Sequence, residues 1–242
     1  MTTKVAPRFC DKLLPDQPEH TYHYRGDDYL AALYDVICRS SGIESPHEAF
    51  KLEHTDMFTV EEMASNPVSM RFFEFLIQVA GIRRVLEVGA FIGVSTMNFA
   101  RALPPGGEVV SIEKFDHFAA IARKNFELNG LSDRIRLLEG DAFEVIDGLP
   151  KDQTFDLIFI DGNKERYKDY VVKTEPLLSE RGIMVVDDCF FHGDVANQTP
   201  VDAKGAGTRD FMDYAATRED YLRIALPVAN GIFMMVRRPA AS

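Results

Sequence analysis

Four residues near two short apolar runs have the types and spacing to do chemistry. Asp161 follows the run Phe155-Asp156-Leu157-Ile158-Phe159-Ile160, and Lys164 stands three residues further on. Asp187 and Asp188 follow the run Ile183-Met184-Val185-Val186. Apolar runs of this length read as buried strands, and a buried strand that stops on a carboxylate delivers charge to water and ligands. In an open α/β sheet, ligands collect outside the carboxyl ends of the strands. Three carboxylates brought together there raise one another's pKa unless a cation joins them. Asp161, Asp187 and Asp188 are therefore read as ligands of a hard divalent metal. The competing reading makes each a helix N-cap or a loop acid, a role in which Asp is favoured.

The second informative segment is Val85-Leu86-Glu87-Val88-Gly89-Ala90-Phe91-Ile92-Gly93-Val94-Ser95, a strand, a turn containing glycines and a helix start. Glycine lets backbone approach a ligand, and a helix N-terminus favours an anionic group. The spacing is neither the dinucleotide fingerprint nor a P-loop, which argues against a pyrophosphate. Glu87 is read as attracting an ammonium group and Ser95 as bonding a carboxylate, and an amino-acid moiety satisfies both. The next strand ends on Glu113, placed to take the two hydroxyls of a ribose. The third ends at Glu139-Gly140-Asp141-Ala142, where Asp141 accepts from an exocyclic amine such as adenine N6 or caps the helix at Ala142. Amino acid, ribose and adenine laid across successive strand ends describe S-adenosylmethionine.

The elements that position these residues alternate from Arg84 onward. Strands are expected at 85–88, 108–112, 135–138, 156–160 and 183–186, with helices at 94–102, 115–129, 142–149 and 164–178. Repeated β-α-β units with apolar strands imply a parallel sheet covered on both faces. A helix at 208–216 and strands at 221–225 and 231–237 close the pattern, the two strands as an antiparallel hairpin at one edge. Upstream, helices are expected over 27–38, from Thr59 through Met63, and over 70–80, with Pro67 near a helix start and Asn66-Pro67 marking its boundary. Residues 1–25, with Pro7, Pro15 and Pro18, read as an arm or lid.

The chain has 242 residues, 46% of them hydrophobic and 27% charged, enough for a core without staples. Net charge is -11, which argues against a nucleic-acid partner, since phosphate binding needs a basic surface. No apolar run approaches a membrane span, and Met1 to Pro7 lacks an apolar signal segment. Cys10, Cys38 and Cys189 make no disulfide framework. A cytoplasmic protein with no membrane partner is expected.

The cofactor segment Leu86 to Ser95, Asp161-Gly162-Asn163-Lys164, the stretch 182–193 and the closing hairpin 227–238 together resemble the class I methyltransferases. They are most similar to the cation-dependent O-methyltransferases of catechol and caffeoyl-CoA type. The resemblance covers roughly residues 60–238. It implies a Rossmann-like methyltransferase fold: α/β, doubly wound, with a mostly parallel seven-stranded sheet, an antiparallel C-terminal hairpin and an N-terminal helical extension. The domain is expected over 59–242, after an arm and helical extension over 1–58. The resemblance implies that Met63 and Asp161 join Glu87, Gly89, Ser95, Glu113, Asp141 and Ala142 around the cofactor. It also implies that Asp161 is a metal ligand and Lys164 the catalytic lysine, with substrate-contacting aromatics after the last ligand strand, read as Phe190 and Phe191. It implies a homodimer. One departure stands out: Asp187-Asp188 occupies the place where the family usually has Asp-Asn. Asp-Asp there also resembles the macrocin-type sugar O-methyltransferases, which lack the lysine that this chain keeps.

The expected reaction moves a methyl group from S-adenosylmethionine to a hydroxyl of a small molecule, a catechol-like or other vicinal diol. Magnesium is the expected ion, with calcium and manganese as alternatives. A phenol has a pKa of about 10, and a bound cation stabilises the oxyanion. Lys164 is expected to take the proton, its own pKa lowered by the ion. His192 is a fallback base, and Cys189 a small packed side chain. Sugar-hydroxyl methylation and a non-catalytic S-adenosylmethionine-binding module are the alternatives.

Overall fold

The computed structural model describes residues 27–239; the arm expected over 1–25 lies outside them. The chain divides after Gly42 into two compact units. In the first, α1 (Asp27–Ser41) runs three residues beyond its expected end. Leu33, Tyr34 and Val36 are exposed.

The second unit begins at Ile43, earlier than the boundary expected at 58/59. Residues 43–58 belong with it because they are bonded to it. Asn125 and Asn129 accept from the backbone N–H groups of Glu53 (2.6 Å) and Lys51 (3.0 Å), and Phe50 is buried with Met97, Ala122 and Phe126. Short helices α2 (Pro46–Ala49) and α3 (Val60–Met63) lead to α4 (Pro67–Ala80). Asn66 caps α4 with Pro67 at its first position, the boundary expected, and Gly81 closes it in the left-handed region.

Seven strands then form one sheet: β1 (Arg84–Val88), β2 (Glu108–Glu113), β3 (Ile135–Glu139), β4 (Phe155–Ile160), β5 (Leu178–Val186), β6 (Tyr221–Leu226) and β7 (Ile232–Arg237). Their order is β3-β2-β1-β4-β5-β7-β6, parallel except for β7, which is antiparallel to both neighbours. Helices α5 (Val94–Ala102), α6 (Asp116–Leu128), α7 (Ala142–Asp147), α8 (Tyr167–Thr174) and α9 (Ala203–Thr217) connect the strands. Apolar side chains on both faces of the sheet are buried. Leu86, Ile158 and Met184 belong to one cluster, and Val85, Leu157 and Val185 to another. That is why the strands read as continuous apolar runs.

Other boundaries differ from expectation as well. β5 starts at Leu178 instead of Ile183, and α9 starts at Ala203 instead of Thr208. The expected helix at 164–178 is a 3-10 turn (Lys164–Arg166), α8, and a second turn (Glu175–Leu177). In-register pairing of Val88 with Ile112 and with Ile160, and of Ile160 with Val186, aligns the carboxyl ends of β1, β2, β4 and β5 along one edge. Strand order reverses between β1 and β4, which places the ligand crevice at Gly89 and Asp161. Among the described residues, no helix is long and apolar enough to cross a membrane.

Candidate active site

The turn after β1 is built to bring backbone against backbone. Asp161 N–H donates to the Val88 carbonyl (3.0 Å), and a Cβ on Gly89 would lie 2.4 Å from the Asp161 carbonyl oxygen. Gly89 has φ 101°, so both space and conformation demand glycine. Phe91, within the same turn, has φ 50°, a strained value for a bulky side chain.

Glu87 lies two residues before Gly89 in β1. It has no exposed surface, and its carboxylate accepts from the hydroxyls of Ser95 (2.5 Å), Thr96 and Ser111. It therefore ties β1 to the first turn of α5 and to β2. The Glu87 carboxylate, read as attracting an ammonium group, here takes three hydroxyls of the protein, and one of them is the Ser95 hydroxyl read as bonding a ligand carboxylate. Burial outweighs these donors and pushes the Glu87 carboxyl up to about 7.

Stability should follow. Between the ordinary carboxyl value of 4.5 and about 7, the unfolded chain has lost this proton and the folded protein keeps it. The contribution is complete below the lower value and disappears as pH rises through the upper one. Thermal melts should show Tm falling over this window, with a shallower fall in Glu87→Gln. An identical slope in the variant would show that Glu87 titrates normally.

Glu113, at the tip of β2, is 5% exposed. One oxygen accepts from Phe91 N–H (2.7 Å) and the other from Phe115 N–H (2.9 Å), so it braces the turn after β1. Burial raises its pKa against the pull of these donors. Asp141 caps α7, accepting from Phe143 N–H (3.0 Å), and pairs with Lys114 (3.1 Å). The Phe143 N–H, then Lys114, hold its pKa below the usual range. Its capping role is thus realised. Ala142 is buried beside it, and Met63 ends α3 with 45% of its surface exposed.

The acidic trio sits at the adjoining tips of β4 and β5. Lys164 Nζ lies 2.8 Å from Asp188 Oδ2 and 3.4 Å from Asp161 Oδ1. Asp187 is buried, and the second oxygen of Asp188 is buried without a hydrogen-bond partner. Asp188 has φ 53°, so the chain turns through the left-handed region as it leaves β5. Strain of this kind clusters where a site is held in place by its surroundings. Burial, with Asp161 adding its charge, pushes the Asp187 carboxyl up to about 7; burial also raises Asp161 against the pull of Lys164.

Burial alone would lower the Lys164 ammonium. Asp161 and Asp188 more than offset that and hold it above its ordinary value. The lowering expected from the sequence belongs to the ion-bound site; here the carboxylates face the lysine itself. Among the described residues, no three of His, Cys, Asp and Glu close into metal-ligand geometry.

The aromatic pair after β5 divides. The Phe190 ring lies on the turn at Gly231 and packs against the main core, the commoner role for a phenylalanine. Phe191 is half-buried beside His192, their rings 5.3 Å apart. Cys189 is buried, its thiol pushed up to about 12 by burial, as fits a packed side chain. Sequence reasoning missed Tyr167. It has no exposed surface, and its phenol donates to the Asp187 main-chain carbonyl (2.9 Å) and lies 3.4 Å from Asp161 Oδ1. Its position one helical turn beyond Lys164 was the available signal.

Residues 43–238 match the family model described as O-methyltransferase. The chain belongs to the O-methyltransferase family. As a member it is an S-adenosylmethionine-dependent O-methyltransferase. It is 30% identical over 148 residues to a catechol O-methyltransferase of Niastella koreensis, covering 60% of this chain and 67% of that one. It is 27% identical over 220 residues to a caffeoyl-CoA O-methyltransferase of Medicago sativa, covering 83% and 86%. The O-methyltransferase of Bacillus cereus, solved with SAH, superposes with TM-score 0.68 at 25% identity over 95% of this chain and 96% of that one. The SAH-bound methyltransferase PaMTH1 of Podospora anserina shares the fold at TM-score 0.78 and 22% identity, covering 89% and 98%.

Proposed function

We propose that this O-methyltransferase methylates one hydroxyl of a small vicinal diol of catechol type, with a divalent cation held by Asp161, Asp187 and Asp188. The observation that carries this reading is the placement of three aspartates at the adjoining tips of β4 and β5, two of them paired with Lys164, at the switch point of the sheet. The donor set fits a hard ion: every candidate ligand atom is oxygen, the trio's charge exceeds that of Lys164, and one Asp188 oxygen is buried with no partner. When bound, the ion supplies Lewis-acid stabilisation of the acceptor's oxyanion.

The chain's own residues do the rest. The turn at Gly89 brings the cofactor's amino-acid end close to the backbone at Asp161. Glu113 takes the ribose hydroxyls with the lone pairs left over from its two backbone bonds. Lys164 Nζ is the atom placed to exchange a proton with the acceptor oxygen. Facing Asp161 and Asp188 alone it stays an ammonium; a cation bound to the two carboxylates would lower its pKa toward the range in which it can take the acceptor's proton. Phe191 walls the acceptor's ring. Methyl transfer is an in-line displacement at the sulfonium carbon, so most of the rate comes from holding oxygen and carbon aligned.

Transfer from labelled S-adenosylmethionine to a panel of catechols and glycosides, read by mass, tests the acceptor. Monomethylated catechols are expected. Products on glycosides alone would instead support the sugar-hydroxyl reading, which the Asp187-Asp188 pair favours. Binding without turnover on the whole panel would support a non-catalytic module. Glu113→Ala should weaken cofactor binding by roughly tenfold or more, the scale of hydrogen bonds to a charged group. Calorimetry showing an unchanged Kd would remove Glu113 from the ribose site.

A further inference from the structure

Tyr167 stands at the start of α8 with no exposed surface, yet it carries a hydroxyl to Asp161 and Asp187 at the tips of β4 and β5. A buried phenol must be hydrogen-bonded or it destabilises the fold. This one reaches two acceptors on different strands: the main-chain carbonyl of Asp187, at the tip of β5 (2.9 Å), and Asp161 Oδ1, at the tip of β4 (3.4 Å). A phenol has a single hydrogen to donate. The shorter contact takes it, and Asp161 Oδ1 is left with two long contacts, this one and Lys164 Nζ at 3.4 Å.

The carboxylate is therefore confined but not locked. The Asp187 carbonyl, by contrast, is fixed just before the chain turns through the left-handed conformation at Asp188. The ring is held independently of its hydroxyl. It packs edge-on to Phe211, centroids 6.4 Å apart, and belongs to the main core cluster. Ring and hydroxyl thus do separable jobs.

We propose that Tyr167 is a positioning residue: its hydroxyl links the tips of β4 and β5 and sets the spacing of Asp161 and Asp187. Its use in holding an ion rests on the function proposed above. The linkage itself rests on the two contacts alone. Deleting the hydroxyl leaves the Asp187 carbonyl without its donor; the Asp187 N–H still donates to the Ile160 carbonyl (3.0 Å), so what loosens is the turn beyond Asp187 and its setting against Asp161. The ring, and with it the core, stays.

The test compares Tyr167→Phe with Phe211→Leu, which loosens the same packing but keeps the hydroxyl. Calorimetric titration with Mn2+ and, separately, with S-adenosylmethionine gives the two affinities, and thermal melts give stability. Tyr167→Phe should bind Mn2+ about tenfold more weakly, the effect of losing a residue that orients ligands. Its cofactor affinity should hold. Phe211→Leu should lower Tm more and leave Mn2+ affinity unchanged. Losses of Mn2+ affinity that track Tm in both variants would make Tyr167 a packing residue and overturn the proposal. So would wild-type affinity and turnover in Tyr167→Phe. If the wild-type enzyme binds no Mn2+, the proposed ion site fails. The Tyr167 linkage is then judged by turnover: a fall in kcat at unchanged KM for the cofactor supports it, and an unchanged kcat overturns it.

Discussion

Asp161→Ala is expected to abolish metal-stimulated turnover while leaving S-adenosylmethionine affinity essentially intact. Three observations set the size of the effect. The side chain lies at the switch point, 3.4 Å from Lys164 Nζ, and its carboxyl is raised chiefly by burial, so its charge is held at a cost. Such a charge is retained where it has a partner to bind. Removing one preorganised electrostatic group from a buried site typically costs on the order of 10²–10³-fold in kcat. Removing a ligand of the ion should do at least that. The turn that lines the crevice packs on the Asp161 backbone, since it is the carbonyl that Gly89 faces, and the backbone survives the substitution. Calorimetric cofactor binding beside a rate assay separates the two roles. A parallel loss of cofactor affinity would place the Asp161 side chain in the cofactor site.

Lys164→Ala should show the second large loss, roughly 10²–10⁴-fold in kcat, the range for general acid–base groups. Lys164→Arg sharpens the test. Arginine keeps the positive charge between Asp161 and Asp188 but does not give up a proton. If Lys164 exchanges a proton with the acceptor, arginine should rescue little. Recovery to near wild-type turnover in Lys164→Arg would show that the charge alone matters. Lys164 faces both aspartates, so the comparison separates its charge from its proton exchange.

How much of this was legible in the sequence depends on where each signal lay along the chain. The tips of β4 and β5 were readable because each apolar run stops abruptly on Asp161 or Asp187, and in-register parallel pairing brings such ends together. The beginning of β5 was not. Ser179, Glu180, Arg181 and Gly182 read as loop, but they pair irregularly beside β4 with Glu180 and Arg181 exposed, so no apolar pattern marks them.

The start of α9 was hidden by its own glycines. Ala203-Lys204-Gly205-Ala206-Gly207 has weak helix propensity. In the structure, a Cβ on Gly207 would lie 2.4 Å from the Lys164 carbonyl oxygen, so a glycine lets α9 back closely onto the segment that carries the lysine. The protein partners of Glu87 were hidden for a different reason. An acid in a strand near a glycine turn looks like a ligand, and its partner Ser111 lies on another strand, 24 residues away. Phe190 and Phe191 were indistinguishable by type; only the turn at Gly231, far along the chain, assigns one to the core.

The ion itself is the central claim, and its removal is the most direct measurement. Enzyme stripped with EDTA and assayed with S-adenosylmethionine and a catechol should lose its turnover, and added Mg2+ or Mn2+ should restore it. Undiminished methylation by the stripped enzyme, with metal content verified as absent, would contradict the account.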